Sequence, residues 1–237
     1  METAIQAEAP RASRWEDFID VFISPAELFR RRANDNWTVP IIVLSVLTLV
    51  LYYAFMPVMM PLWQAAATMN ATPEQVAAMQ QNAGAMRTFT LIGGLFAPIM
   101  NAIYLALLGG IAWAGGRMVS ADLRYKQALN TVTWAAFITV PQQVAIALSV
   151  MLANRNGEVL HPIKHTNIGP LRFMNVESLP DVLVPLIGRI DLFAIWQMVV
   201  VAIGVQVITG VSRGPAFVVA GLAWIAYALP QVIGAIF

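Results

Sequence analysis

Cysteine is absent from the 237-residue chain, and charged residues make up only 11% of it. Without cysteine the chain can form no disulfide, use no catalytic thiol and hold no cysteine-ligated metal. A water-soluble domain usually carries about 25% charged residues, because its surface must be wetted. Since 59% of the residues are hydrophobic, the composition instead indicates a protein that folds within a membrane.

Signals for catalysis, cofactors and nucleic acid are also lacking. A net charge of +1 provides no general attraction to nucleic acid, so we expect no nucleic-acid partner. We find no catalytic Ser/His/Asp grouping and no phosphate-binding glycine loop in a strand context. His161 and His165 are four residues apart, but no third ligand completes a metal site. We therefore expect no enzymatic activity, no cofactor and no bound metal.

Five apolar segments are long enough to cross roughly 30 Å of hydrocarbon, which takes about 20 helical residues. None of them contains Lys, Arg, Asp or Glu. We predict an all-α polytopic membrane protein, with a cytoplasmic segment at residues 1–37 and a five-helix transmembrane domain at residues 38–237. The predicted spans are residues 38–60, 88–115, 128–153, 192–211 and 215–237.

The basic residues are divided unevenly between the two sides of this topology. If the N-terminus is inside, nine of the 14 Lys and Arg residues lie on cytoplasmic segments. Arg30, Arg31 and Arg32 lie just before the first span, where the positive-inside rule is strongest. We therefore expect a cytoplasmic N-terminus and, after five spans, an external C-terminus. The acidic first 37 residues, with no small-residue cleavage site, argue against a secretory signal.

The segment before the first span has the pattern of an amphipathic helix, with apolar side chains at intervals of three and four residues. Ser24 followed by Pro25 and Glu27 then predicts the capped start of a second helix that runs into three arginines. This segment can lie among anionic headgroups or pack on the bundle as a lid, and both can hold together. The candidate membrane-surface contacts are Trp15, Phe18, Ile19, Phe22, Arg30, Arg31 and Arg32.

The second predicted span carries a small residue at every fourth position. Such a stripe lets another helix approach closely in lipid. The facing helix can belong to the same chain, which is the commoner case, or to a second copy. Other membrane proteins and a homo-oligomer are therefore candidate partners beside membrane lipids. The candidate helix-packing stripe is Ala102, Ala106, Gly110 and Ala114.

Three carboxamides follow prolines near the centres of the second and third spans. Asn101 follows Pro98, and Gln142 and Gln143 follow Pro141. Proline frees a backbone carbonyl, which in lipid must find another donor. One interpretation is that the carboxamides satisfy these carbonyls and join helices; another is a midplane substrate site, as in transporters. The first is favoured, because no ionisable residue lies at membrane depth.

Three short motifs are distributed over most of the chain. They occupy residues 15–29 (WEDFIDVFISPAELF), 191–196 (DLFAIW) and 210–217 (GVSRGPAF). Together they resemble the bacterial Yip1-domain family of integral membrane proteins. The resemblance implies a non-enzymatic protein of the bacterial inner membrane, and the five predicted spans agree with it.

Two functions are consistent with this pattern. The leading hypothesis is a membrane scaffold or interaction protein that engages lipid or partner helices. The alternative is a small transporter or lipid-handling permease, with a midplane site at the proline-kinked second and third helices. The two differ in whether Asn101, Gln142 and Gln143 face one shared site or serve separate structural bonds.

Overall fold

A computed structural model describes residues 14–69 and 71–236. Residues 1–13 of the predicted cytoplasmic segment and the last residue of the predicted fifth span lie outside these ranges. Within them the chain is helical, with no β-strand, and the all-α prediction is confirmed. Its α-helices are α1 (Arg14–Ile23), α2 (Pro25–Arg32), α3 (Thr38–Thr68), α4 (Pro73–Gln81), α5 (Ala83–Met118), α6 (Tyr125–Ala135), α7 (Thr139–Arg155), α8 (Pro162–His165), α9 (Leu183–Gly188), α10 (Leu192–Thr209) and α11 (Arg213–Ile236).

Several of these helices are suited to cross a bilayer by length and composition. Among the described residues, four helical stretches meet both conditions: Thr38–Thr68, Ala83–Met118, Tyr125–Arg155 and Leu192–Thr209. Within α11, the apolar stretch Arg213–Leu229 is shorter than these four. α3 and α5 contain 31 and 36 residues, whereas a span requires about 20. These helices continue past the predicted limits, because an apolar run marks the hydrocarbon segment and not the end of a helix.

α5 and α10 organise the bundle. α5 packs against α3, α6 and α11, and α10 packs against α2, α6 and α11. The buried core joins these helices through side chains such as Leu105, Val132, Val200 and Val219. The short helix α2 therefore belongs to the bundle, although it precedes the first apolar segment.

The third apolar stretch is interrupted near its centre. A 3-10 turn at Ala136–Ile138 joins α6 to α7. It precedes Pro141, which has no N–H to donate to the carbonyl four residues earlier. That carbonyl belongs to Phe137, and the Thr139 hydroxyl donates to the neighbouring Ala136 carbonyl at 2.7 Å. α6 then packs on α5 and α10, whereas α7 packs on α3.

The long connection between α7 and α10 folds back onto the helices. α8 contacts α3, and α9 contacts α11. Asp191 is buried and caps α10, because its Oδ1 accepts a hydrogen bond from the Phe193 N–H at 2.9 Å. Its Oδ2 accepts from the Ile168 N–H at 2.7 Å. The connection is therefore fixed to the first turn of α10.

Candidate functional site

The N-terminal pair α1–α2 is a helical hairpin packed on the bundle. Ser24 separates the two helices with φ −143° and ψ 53°, as expected for a residue that the following proline disfavours in the helical region. The helix starts at Pro25, but the Ser24 side chain forms no cap hydrogen bond. Leu28 and Phe29 are fully buried, and α2 lies against α10.

Aromatic side chains attach α1 to the same core. The Phe18 ring centroid lies 5.2 Å from that of Trp134 and 5.3 Å from that of Phe137. Phe22 meets Trp196 of α10 edge-on at 5.7 Å. Such tilted and edge-on pairs stabilise by about 0.5–1.5 kcal/mol beyond the area that they bury. One side of α1 is therefore an internal surface of the protein.

A cluster of charges holds the hairpin closed. The Asp17 side chain, whose residue is only 1% exposed, accepts a hydrogen bond from Arg31 Nη2 at 2.9 Å and one from Arg32 Nε at 2.8 Å. Arg31 also donates to Asp20, and Arg32 Nη1 donates to Asp35 at 2.9 Å. Each arginine thus joins Asp17 to a second acid, so the two helices and the start of the following turn form one network.

Electrostatics and further bonds strengthen this cluster. Burial lowers the pKa of Arg31, but the hydrogen bonds to Asp20 and Asp17 outweigh burial and the net pKa is raised. The pKa of Arg32 is also raised, because its acidic partners outweigh burial. The Asn130 side chain donates to the Arg32 carbonyl at 2.8 Å, which ties the end of α2 to α6. The charged forms are therefore favoured, and the hairpin is fixed to a transmembrane helix.

The other side of α1 carries an apolar stripe that nothing in the described part of the chain covers. Trp15, Ile19 and Ile23 lie four residues apart and are 76%, 59% and 71% exposed. The predicted apolar face of α1 is therefore divided. Phe18 and Phe22 point to the bundle, while Trp15 and Ile19 point outward.

The same helices fall within one known domain. The family model of the Yip1 domain matches residues 19–235, from within α1 to within α11. The chain belongs to the Yip1 domain family. No match was found among curated proteins or among solved structures. The resemblance seen in the three sequence motifs is confirmed, and α2 with its buried Leu28 and Phe29 is an integral part of the Yip1 domain.

The three predicted surface arginines occupy different environments in this Yip1 domain. Arg30 is exposed, and its Nη1 lies 3.8 Å from the Glu27 carboxylate. Arg31 and Arg32 instead point to the acids of the cluster. Of the three, Arg30 alone keeps its guanidinium turned to the exterior.

The predicted midplane carboxamides do not form one hydrogen-bonded group among the described residues. Gln142 Nε2 donates to Asp191 Oδ1 at 3.3 Å, which joins α7 to the cap of α10. Asn101 lies on α5 and is half-buried, as is Gln143. Within the described ranges no hydrogen bond joins Asn101 to either glutamine. The structure thus assigns Gln142 a contact between helices, and the prediction of a shared substrate site stays a prediction.

The close helix contacts in the second half of α5 are displaced from the predicted stripe. Ala114 is exposed, and a Cβ added at Gly110 would meet only the Tyr125 ring, at 4.0 Å. A Cβ added at Gly109 would lie 3.0 Å from the Leu129 Cα, and one at Gly115 would lie 3.1 Å from Leu222. The close approaches in this half of α5 therefore fall at neighbours of the predicted residues, and their partners are α6 and α11 of the same chain. Earlier on α5, a Cβ added at Gly94 would lie still closer to a neighbour, 2.5 Å from the Tyr52 ring of α3.

This difference leads to a test with adjacent glycines. Gly109→Leu is expected to destabilise the detergent-solubilised protein by about 1–3 kcal/mol, because the backbone of Leu129 cannot yield as a side chain can. Gly110→Leu, its matched control, should have a smaller effect, since the nearest atom is the edge of an exposed tyrosine ring. Thermal unfolding of both variants measures the difference. A larger loss in Gly110→Leu would show that the predicted stripe is the packed one.

Asp17 and Asp20 are absent from the residues predicted to form a site. An amphipathic pattern assigns acids to solvent, so it gives no reason to bury Asp17. The available signal was the break at Ser24 and Pro25, which folds α2 back along α1 and brings Arg31 and Arg32 toward these acids. An arginine run directly after a helix break thus has two candidate partners, lipid and the preceding helix.

Proposed function

We propose that this Yip1-domain membrane protein is a non-enzymatic scaffold in which α1 connects the transmembrane bundle to lipid of the cytoplasmic leaflet. The observation that supports this most is that α1 is apolar on two sides. Phe18 and Phe22 bind the bundle, while the stripe of Trp15, Ile19 and Ile23 is exposed. An apolar surface beside a membrane span can be buried from water at the boundary between headgroups and acyl chains.

The stripe has suitable size and composition for that role. Burying a large apolar side chain stabilises by about 1.5–3 kcal/mol, so three such residues are sufficient to hold α1 against lipid. Trp15 is of the residue type enriched at membrane interfaces. Arg30, exposed one helix later, adds about 1 kcal/mol near anionic lipid. Because Arg31 and Arg32 are paired internally, lipid affinity depends on the stripe more than on the arginine run.

A second apolar surface serves the scaffold within the membrane. α5 exposes a long row of large side chains away from the bundle: Phe89, Ile92, Phe96, Ile99, Ile103 and Leu107. Lipid chains and helices of other membrane proteins both fit such a surface. We propose that lipid and partner helices share it, while the N-terminal hairpin fixes the bundle from the cytoplasmic side.

The proposed orientation follows the distribution of basic residues. The N-terminal segment of residues 1–37 lies in the cytoplasm, five spans follow within residues 38–237, and the C-terminus is external to a bacterial inner membrane. Arg117, Arg124 and Arg213 are exposed at the same end of the bundle as the arginine cluster in this arrangement. The positive-inside rule supports the cytoplasm as that side.

A spin label at position 19 tests the lipid contact. The chain has no cysteine, so Ile19→Cys provides a single labelling site in otherwise unchanged protein. In proteoliposomes that contain anionic lipid, the label is expected to be more accessible to oxygen, which concentrates in hydrocarbon, than to a water-soluble nickel chelate. Power-saturation electron paramagnetic resonance measures both accessibilities.

Glu27→Cys is the matched control, because Glu27 is exposed on α2 and belongs to the polar surface. Its label should be reached by the nickel chelate. A membrane-impermeant maleimide should modify the same position only in inside-out vesicles if the N-terminal segment is cytoplasmic. If the label at position 19 behaves like the label at position 27, the stripe faces water and the proposed contact is wrong.

Among the described residues, no specific contact favours the transporter alternative. The Gln142 carboxamide is bonded to Asp191, which joins two helices. Of the three predicted midplane carboxamides, this one is thus engaged in a structural bond. Scaffold function therefore has the better structural support.

A further inference from the structure

Arg189 lies at a junction of three helices, between α9 and the start of α10. Its guanidinium carbon is 3.9 Å from the centroid of the Tyr227 ring on α11. The Tyr104 ring of α5 meets Tyr227 edge-on, with centroids 4.9 Å apart and planes at 88°. A cation is thus held against an aromatic pair, an arrangement that is strongest where water is displaced.

This cation has no acidic partner in the described part of the chain. Asp191, two residues later, directs Oδ1 to the first turn of α10 and Oδ2 to the Ile168 N–H. Burial lowers the pKa of Arg189 because the charged guanidinium loses hydration, but arginine remains protonated at neutral pH. Arg31 and Arg32, in contrast, are each paired with two acids. Arg189 therefore has no salt bridge among the described residues, and the Asp191 carboxylate acts on it only through space.

Three buried donors converge on the same region without an acceptor among the described residues. They are Arg189 Nε, Trp224 Nε1 and the Tyr104 hydroxyl. A buried donor without a partner costs free energy, and natural structures rarely retain several together. Because arginine and tryptophan can only donate, the complementary ligand must bring acceptor oxygens.

The shape of the site limits how that ligand enters. Arg189, Gln197, Trp224 and Tyr227 help to line a cavity of about 20 Å³ between α10 and α11. This room admits about one oxygen atom or water molecule. Arg189 as a residue is half-buried, while its Nε is fully enclosed. A tetrahedral anion can therefore lie at the mouth with one oxygen directed inward.

We infer that Arg189, Tyr104, Trp224 and Tyr227 form a binding site for a phosphate group, as carried by an anionic membrane phospholipid. Guanidinium binds phosphate through charge-assisted hydrogen bonds, and its stacking on an aromatic ring orients the donor fork. The start of a membrane span is where the phosphates of lipid headgroups are available. This inference rests on membrane insertion of the chain and not on the role proposed for α1.

Native mass spectrometry of the full chain in detergent tests the site. The probes are dioleoylphosphatidylglycerol, inorganic phosphate, and dioleoylglycerol as the lipid without phosphate. Retention of phosphatidylglycerol is expected in the parent protein, with affinity reduced about tenfold or more in Arg189→Gln, since a charge-assisted bond is lost. Trp224→Phe, which removes the N–H but keeps a ring, is expected to weaken binding about threefold or more.

Arg117→Gln is the matched control, because Arg117 also lies over an aromatic ring, with its guanidinium carbon 5.6 Å from the Trp113 centroid. It should bind phosphatidylglycerol as the parent does. If inorganic phosphate binds with the same dependence on Arg189 while the lipid does not, the phosphate site stands and its source is a soluble ligand. If neither phosphate probe depends on Arg189 or Trp224, or if dioleoylglycerol binds equally well, the cavity holds water only and the inference is overturned.

Discussion

Asp17→Asn is expected to open the N-terminal hairpin while the transmembrane helices remain inserted. The substitution keeps the size of the side chain but removes the charge that Arg31 and Arg32 share. Removing one partner of a buried ion pair destabilises by about 3–5 kcal/mol. The lower value, about 3 kcal/mol, applies here, because Asp20 and Asp35 still pair with the two arginines.

Hydrogen–deuterium exchange measures this effect locally, since exchange of α1 and α2 amides reports their opening free energy. A loss of 3 kcal/mol corresponds to exchange that is about a hundredfold faster. Asp35→Asn is the matched control. Asp35 is exposed and binds only Arg32, and exposed pairs contribute about 0–1 kcal/mol. Equal exchange in the two variants would mean that Asp17 does not hold the hairpin and that the aromatic contacts alone dock α1.

The apolar segments of the chain could be predicted from its sequence because each covers many residues. A span of about 20 apolar residues produces a strong signal, and all of the predicted spans lie largely within helices of the structure. The proline effects were predictable only in part, since Pro98 lies inside the continuous helix α5. Pro141 marks the interrupted third stretch, since its missing N–H is a local property of the chain.

The side of each helix that faces the bundle was less predictable than the helices themselves. On α1 the spacing groups Trp15, Phe18, Ile19 and Phe22 on one side, but a helix wheel gives only relative angles. The structure divides that group between bundle and exterior. On α5 a small residue at every fourth position drifts around a helix of 3.6 residues per turn. The tight contacts accordingly fall at Gly109 and Gly115, beside the predicted stripe.

The least predictable feature of the candidate site is the depth at which charged residues lie. The residues next to Asp17 and Arg189 in the sequence give no sign of their environments, which depend on contacts with residues far along the chain. Asp17 is buried because two arginines and the aromatic floor from α6 surround its helix. Arg189 is half-buried because α11 supplies Tyr227. Such environments arise only when the helices assemble, so a single sequence contains no direct signal for them.

Gly204→Leu is expected to have the largest effect on packing, because Gly204 is the point where α10 faces both α2 and α6. A Cβ at this position would lie 2.5 Å from Thr131 Cγ2 and 3.0 Å from the Phe29 ring. Neither neighbour has free room, since both are buried. The larger side chain must displace α2 or separate α10 from α6. Overpacking of this kind costs about 3 kcal/mol, which should appear in detergent as a lower unfolding temperature.

Gly221→Leu on α11 is the matched control, since a Cβ there meets no atom within 4 Å and leucine favours the helix. It should retain or slightly raise the unfolding temperature.

The Phe29→Ala change distinguishes displacement of α2 from separation of α10 and α6. If Gly204→Leu acts by expelling α2, adding Phe29→Ala should recover part of the loss, and the double-mutant cycle should show a coupling of about 1 kcal/mol or more. Additive losses would indicate that the leucine separates α10 from α6 and leaves the contact with α2 intact. Parent-like stability of Gly204→Leu itself would contradict the close packing of α2, α6 and α10, and with it the docking of the N-terminal hairpin.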